Sequence, residues 1–304
     1  MSSEVPAALT VGVLCRADEP ALERTLRSLA VAAAKLADAG REVRFVVCVN
    51  GPSRGPALDA ARAFAAQEPR WQTSVVVDGR ADKARAWNLV RQSCTTPLIA
   101  FSDADVEVAP DALVRLVAAL EAEPEVQIAS ARQVARLDGP GVGAVARAAA
   151  LPYRFDFQVV GGRLYVMRTA AIERMPEGLL LEDGWLSATL GNEKLRTVAD
   201  AEVYFHPAGT LPDYFRERLR TEAGKIQIRE QRRNAGIPQR PIARYPWRRL
   251  ADGLRVTDAP LVVLNLAVRL SARAVAELAA RRGRRIAWAP IASSKAPRPE
   301  VPTS

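Results

Sequence analysis

The chain has 304 residues, 49% of them hydrophobic and 25% charged, with a formal net charge of +9. That composition belongs to a globular protein with a sizeable core and excludes general disorder. Three cysteines, Cys15, Cys48 and Cys94, are an odd number set in separate apolar runs, which argues against a disulfide framework or a zinc site and for reduced, buried thiols in a cytoplasmic protein.

The amino-terminal MSSEVPAALTVGVLC has neither a basic leader nor a long apolar core, so export is not expected. Its LTVGVLC (9–15) reads as a strand. Residues 20–39 carry Leu22, Leu26, Leu29 and Ala33 at helical spacing, with Pro20 near the start and Gly40 as a stop. EVRFVVCVN (42–50) is a second strand, followed by the turn residues GPSRGP. A helix over 56–67, a strand TSVVVD (73–78), a helix over 82–93 and a strand PLIAFS (97–102) continue the alternation. This is the pattern of βαβ units around a parallel sheet. A helix over 110–122 and a strand QIASAR (127–132) come next, then a segment of irregular pattern (137–162) read as a substrate loop, then a strand RLYVMR (163–168).

Ligands of open α/β sheets lie beyond the carboxyl ends of the strands. Asn50, Asp78 and Asp103, each at such an end, are therefore expected on one rim. In extended backbone, residues two apart share a face, so Asp103 and Asp105 of FSDADV can offer two carboxylates to one hard cation. The same pair also suits a turn or a helix cap. Glu182 and Asp183 form a second acidic pair, in LLLEDGWLS, where they fit the start of a helix or a proton acceptor near the first pair.

The positive charge is concentrated. Between Arg216 and Arg249 stand eleven basic and three acidic residues, as in a solvated helix face or a surface that meets an anionic ligand or membrane. Arg218 and Arg220 are the candidates for phosphate oxygens. Farther on, Asn265, Arg269, Arg273, Glu277 and Arg281 recur every four residues in a helix otherwise rich in Leu, Val and Ala. The stretch is too short between charges to cross a membrane. It fits a helix packed on the core or one lying in a membrane interface.

Taken in order, these pieces resemble glycosyltransferase family 2 over residues 9–235. LTVGVLCRADEPALERTLRSL is similar to the family's opening strand and helix, with Asp18 and Glu19 where an Asn-Glu pair is usual. DKARAWN places Lys83 and Asn88 like the family's Gly-Lys…Asn segment, FSDADVEVAPDAL is similar to its Asp-X-Asp motif, VVGGRLYVMRTAAI to its acceptor-side segment, and LLLEDGWLS to its Glu-Asp motif. WAPIASSKAP resembles the carboxyl-terminal segment of some membrane-associated members. Two departures are plain: Asn50 stands where an acidic base-binding residue is usual, and the Gln-X-X-Arg-Trp block has become Glu217-Arg218-Leu219-Arg220-Thr221 without its tryptophan.

The resemblance implies a GT-A fold: an α/β, Rossmann-like, mostly parallel sheet flanked by helices, with a helical extension at the carboxyl end. Residues 1–235 would form the catalytic domain, with a nucleotide-sugar half to 110 and an acceptor half from 111. A basic, amphipathic extension would follow over 236–290 and a disordered tail over 291–304. It implies transfer of a single sugar, with inversion, from a nucleoside diphosphate sugar to an acceptor hydroxyl on a lipid-linked or polysaccharide precursor. In that reading Asp183, beside Glu182, is the base. Asp103 and Asp105 hold Mg²⁺ or Mn²⁺, with His206 as a further ligand unless it is a structural histidine. Asn50, Asp78, Lys83, Asp103, Arg218 and Arg220 bind the donor, and Gly161, Gly162 and Trp185 face the acceptor. The expected location is cytoplasmic, in peripheral contact with the inner face of the plasma membrane, and no nucleic-acid partner is expected.

Two other readings compete. A sugar nucleotidyltransferase needs a glycine-bearing phosphate loop after the first strand, and CRADEP has none. A basic scaffold that binds membrane without catalysis would be indifferent to the acidic pairs.

Overall fold

The computed structural model describes residues 8–51, 55–138, 142–155, 160–237, 254–284, 286 and 292–294. The amino-terminal half alternates strand and helix: β1 (Leu9–Arg16), α1 (Leu22–Asp38), β2 (Val43–Asn50), α2 (Pro56–Gln67), β3 (Gln72–Asp78), α3 (Lys83–Gln92), β4 (Leu98–Asp103) and a two-residue β5 (Glu107–Val108). Beyond it lie α4 (Ala112–Ala122), β6 (Ile128–Ala135), α5 (Ala144–Ala150), β7 (Leu164–Arg168), α6 (Glu182–Leu190), β8 (Leu195–Phe205), α7 (Leu211–Asn234) and α8 (Ala259–Arg281).

All eight strands join one sheet, in the order β3-β2-β1-β4-β7-β6-β8-β5. β3, β2, β1 and β4 run parallel. β7 is antiparallel to both β4 and β6, while β8 returns parallel to β6. The sheet is thus mixed but mostly parallel, with only β7 and β5 running against the other six strands.

Burial on both faces explains why β1 and β2 read as near-continuous apolar runs. Leu9, Val11, Val13 and Cys15 of β1 pack with α1, α2 and α4 in one core layer, and Leu14 joins a second layer on the other face. That second layer centres on Trp87, stacked on Phe101 at 4.8 Å and donating its indole N–H to the Tyr165 hydroxyl at 2.8 Å. All three cysteines are buried thiols, as expected.

The segment 137–162 departs from the expected loop. It contains α5, whose Ala146, Ala148, Ala149 and Ala150 are buried under α7 and α8. Alanines carry little apolar area, so periodicity left the helix unmarked, and tertiary packing decided it. The basic stretch also divides. Up to Asn234 it is α7, and its remainder from 238 onward lies outside the described residues; of the tail expected over 291–304, the described residues Ala292–Ser294 form a 3-10 turn whose Ser293 N–H donates to Asp213 Oδ2 at 2.8 Å.

Candidate functional site

The parallel strands end together. In register, Arg16 faces Asn50, Asn50 faces Asp78, and Leu14 faces Asp103. Beyond this edge opens a cleft of about 710 Å³, within the size range of small-molecule sites. It is walled by the ends of β1 and β4, the start of α3, the first turn of α6 and one side of α7.

Lys83 is the junction. It begins α3, whose first turn is capped by Asp82 accepting from the Arg85 backbone N–H at 3.2 Å. Its Nζ lies 2.6 Å from Asp103 Oδ1 and also pairs with Glu182 Oε1. One ammonium thereby ties the last residue of β4 to the first turn of α6. Burial works against its charge, but Asp103 and Glu182 outweigh this and raise its pKa above the usual lysine range.

Asp183 is the most perturbed carboxyl of the cleft. Burial first, and then neighbouring Glu182, push its pKa up to about 6, against the pull of Lys83 and a 2.7 Å hydrogen bond from the Gly184 N–H. It is held in place from the side by Gly162. A Cβ added there would stand 2.9 Å from Asp183 Oδ2 and 3.1 Å from its Cβ and Cγ, so the carboxylate rests where a side chain would be. Behind α6, Gly224 of α7 makes another close approach: a Cβ there would fall 2.5 Å from that of Leu181. Gln227 accepts from the Leu180 N–H at 3.0 Å and donates to the Gly178 carbonyl at 2.8 Å. Buried Arg232 donates to the Ala188 carbonyl at 2.7 Å. Helix α7 therefore fixes both ends of α6 and the loop before it.

The opposite wall is cationic and aromatic. Arg163 lies over the Phe205 ring at 3.5 Å, donates to Gln133 Oε1, and reaches the Tyr153 hydroxyl at 3.4 Å. Glu217 sits beside it. Although burial opposes ionisation, Arg218, Arg163 and Arg220 together hold its carboxyl below the usual range.

Asp105 borders the same cleft half-buried, with no hydrogen bond or ion pair among the described residues. No cluster of three or more potential ligands from His, Cys, Asp and Glu occurs among those residues. The donor set offered by Asp103 and Asp105, with His206 on the same cleft, is oxygen-rich and incomplete. Such a set suits a hard divalent cation that takes its other ligands from phosphate and water. Asn50 is buried; its Nδ2 donates to the Asp82 carbonyl at 3.4 Å, and its Oδ1 has no partner among the described residues. A buried acceptor left open at a cleft edge fits a ligand N–H.

Eleven of the thirteen residues expected at the site border this cleft, the exceptions being Asp78 and Trp185. Asp78 is occupied behind the rim, where Arg85 Nε meets its Oδ2 at 2.6 Å. Trp185 lies two residues after Asp183, about 200° around the helix, and packs against the second core layer. Arg163, Gln133, Tyr153, Glu217 and Arg269 also line the cleft, although the motifs that contain Arg163 and Glu217 assign neither a role at the site. Arg163 was the most accessible of them, standing directly after the Gly161-Gly162 pair.

Residues 10–160 match the model of the family described as Glycosyl transferase family 2. No curated protein matches the chain. Among solved structures it is similar to the mannosyltransferase PcManGT from Pyrobaculum calidifontis, in complex with GDP-Man and Mn²⁺ (19% identity, 92% of this chain and 76% of that one, TM-score 0.59). It is also similar to glucosyl-3-phosphoglycerate synthase from Mycobacterium tuberculosis, in complex with Mn²⁺, UDP-glucose and phosphoglyceric acid (18%, 77% and 81%, 0.51). A third similar structure is S. aureus TarS 1–349 in complex with UDP-GlcNAc (10%, 91% and 92%, 0.50). At these identities the likeness is one of fold. Since the family model spans the parallel half and the Asp-X-Asp edge, and the sheet continues as in these GT-A enzymes, the chain belongs to glycosyltransferase family 2 and is a glycosyltransferase.

Proposed function

We propose that the chain moves a single sugar from a nucleoside diphosphate sugar to an acceptor hydroxyl, with inversion at the anomeric carbon and Asp183 as the base. The observation that carries this reading is the placement of Asp183, its pKa raised to about 6, in one cleft with the Asp103–Asp105 edge. A base poised just below neutral pH accepts a proton effectively while staying ionised.

In this mechanism the acceptor hydroxyl hydrogen-bonds to Asp183. Its proton passes to the carboxylate as its oxygen bonds to the anomeric carbon from the face opposite the diphosphate. The bond between that carbon and the phosphate oxygen breaks, and its electron pair leaves with the nucleoside diphosphate. Asp103, Asp105 and His206 are the residues that would hold Mg²⁺ or Mn²⁺. When bound, such an ion offsets the negative charge that develops on the leaving diphosphate. Arg218 and Arg220 add positive charge at the same cleft. The open Oδ1 of Asn50 accepts from an N–H of the nucleobase, and Gly161 and Gly162 border the acceptor side, where the missing side chain of Gly162 makes room for the Asp183 carboxylate. The neighbours solved with GDP-Man, UDP-glucose or UDP-GlcNAc support the donor class.

Replacing Asp183 by Asn tests the reading. Turnover should fall by about 10²–10⁴-fold while the dissociation constant of the nucleotide sugar stays unchanged and the variant's far-UV spectrum matches the parent's. Near-normal turnover in D183N, or pyrophosphate in place of nucleoside diphosphate as the product, overturns it.

A further inference from the structure

Helix α8 carries apolar residues on its outer face as well as on its packed one. The fully buried residues of the face packed on α5 and α7 are Asn265, Val268, Ala272 and Ala276, with Leu264 partly buried beside them. Asn265 holds that contact, donating Nδ2 to the Ala148 carbonyl at 2.8 Å and to the Tyr214 hydroxyl at 2.7 Å. Four larger aliphatic side chains point away: Val263, Leu266, Leu270 and Leu278 are 66%, 40%, 65% and 47% exposed, with exposed Ala267 and Ala274 between them. At about 100° per residue these six positions form one continuous stripe opposite the buried face. A contiguous exposed aliphatic stripe on a folded protein marks a surface that meets something apolar.

The charges around the stripe say what that is. Exposed Arg273, Arg281, Arg282 and Arg284 stand on its edge and at its carboxyl-terminal end. Its one carboxylate, Glu277, is paired with Arg273 at 2.9 Å. A second copy of this chain would bring the same cationic rim against it and be repelled. A nucleic acid would suit the arginines but leave the leucines in water. No helix among the described residues is long and apolar enough to cross a membrane, so the stripe can only lie on a surface. We infer that this face of α8 rests on an anionic lipid bilayer, its aliphatic side chains in the headgroup–acyl boundary and its arginines against lipid phosphates.

The inference does not depend on the proposed reaction, but it gives it a setting. Arg269, on the same helix, lines the catalytic cleft, which places the cleft within about one helix diameter (~10–12 Å) of the lipid surface. An acceptor hydroxyl carried on a lipid would then meet the site without leaving the membrane.

Co-sedimentation of the full chain tests it, with vesicles of phosphatidylcholine alone and of phosphatidylcholine mixed with phosphatidylglycerol. The parent should partition mainly into the mixed vesicles. A triple variant, Leu266→Ser, Leu270→Ser and Leu278→Ser, should lose on the order of a hundredfold in partitioning with its thermal midpoint preserved, since these side chains are exposed. Arg281→Gln with Arg284→Gln should lose about fivefold per arginine, on the mixed vesicles only. The inference is overturned if the parent sediments with neither vesicle, if the serine variant sediments like the parent, or if the parent is a dimer that the serine variant dissolves.

Discussion

Asp183 and Gly162 show how much of the site rests on single atoms. The carboxylate is positioned by the absence of a side chain at Gly162, at contact distances near 3 Å. Gly162→Ala must displace it or the strand behind it. Because a misplacement of about 1 Å can cost on the order of 10²-fold in rate, this variant should lose turnover to that extent while binding nucleotide sugar normally, as checked by steady-state kinetics beside donor titration. The titration of Asp183 makes a second prediction. With its pKa raised to about 6, the ionised base is present above that pH and is lost below it. The profile of kcat/KM should therefore show an acidic limb near pH 6, falling about tenfold per unit below it. Donor binding measured over the same range should not follow that limb.

At the scale of elements, the site is a meeting of β4, α3 and α6 held by one cation. Removing it as Lys83→Met leaves Asp103 and Glu182 facing each other without their shared partner. Breaking a fully buried pair costs about 3–5 kcal/mol. These side chains are 12–26% exposed, so solvent screening lowers the expected loss to about 1–2 kcal/mol. Urea unfolding measures it. Sequence motifs named all three residues but could not show that they share one ion pair, because Lys83 and Glu182 are nearly a hundred positions apart. The first six predicted elements agree with the structure to within two residues at each end, because the period-2 and helical patterns are strong there. α5 and β5 went unmarked because one is alanine-rich and the other has only two residues.

For the whole molecule, an Asp-X-Asp edge and an open cleft should couple stability to ligand. A nucleotide sugar at a hundredfold excess over its Kd stabilises the folded state by about 2.7 kcal/mol. The resulting rise in Tm should depend on Mn²⁺ in the parent and lose that dependence in Asp105→Asn. A screen of donors by this measurement would also identify the sugar and the base. Sequence alone determined the fold class, the parallel first half, the rim at the strand ends and eleven of the residues that border the cleft. Those properties follow from local periodicity, from strand polarity and from motifs whose spacing is short. Only the tertiary structure decided that Asp78 is taken up by Arg85, that Trp185 turns into the core, that Arg163 and Glu217 complete the wall, and that α8 keeps Leu266, Leu270 and Leu278 outward. Each of these depends on which side of an element faces its neighbour, and that is fixed by packing between segments far apart in the chain.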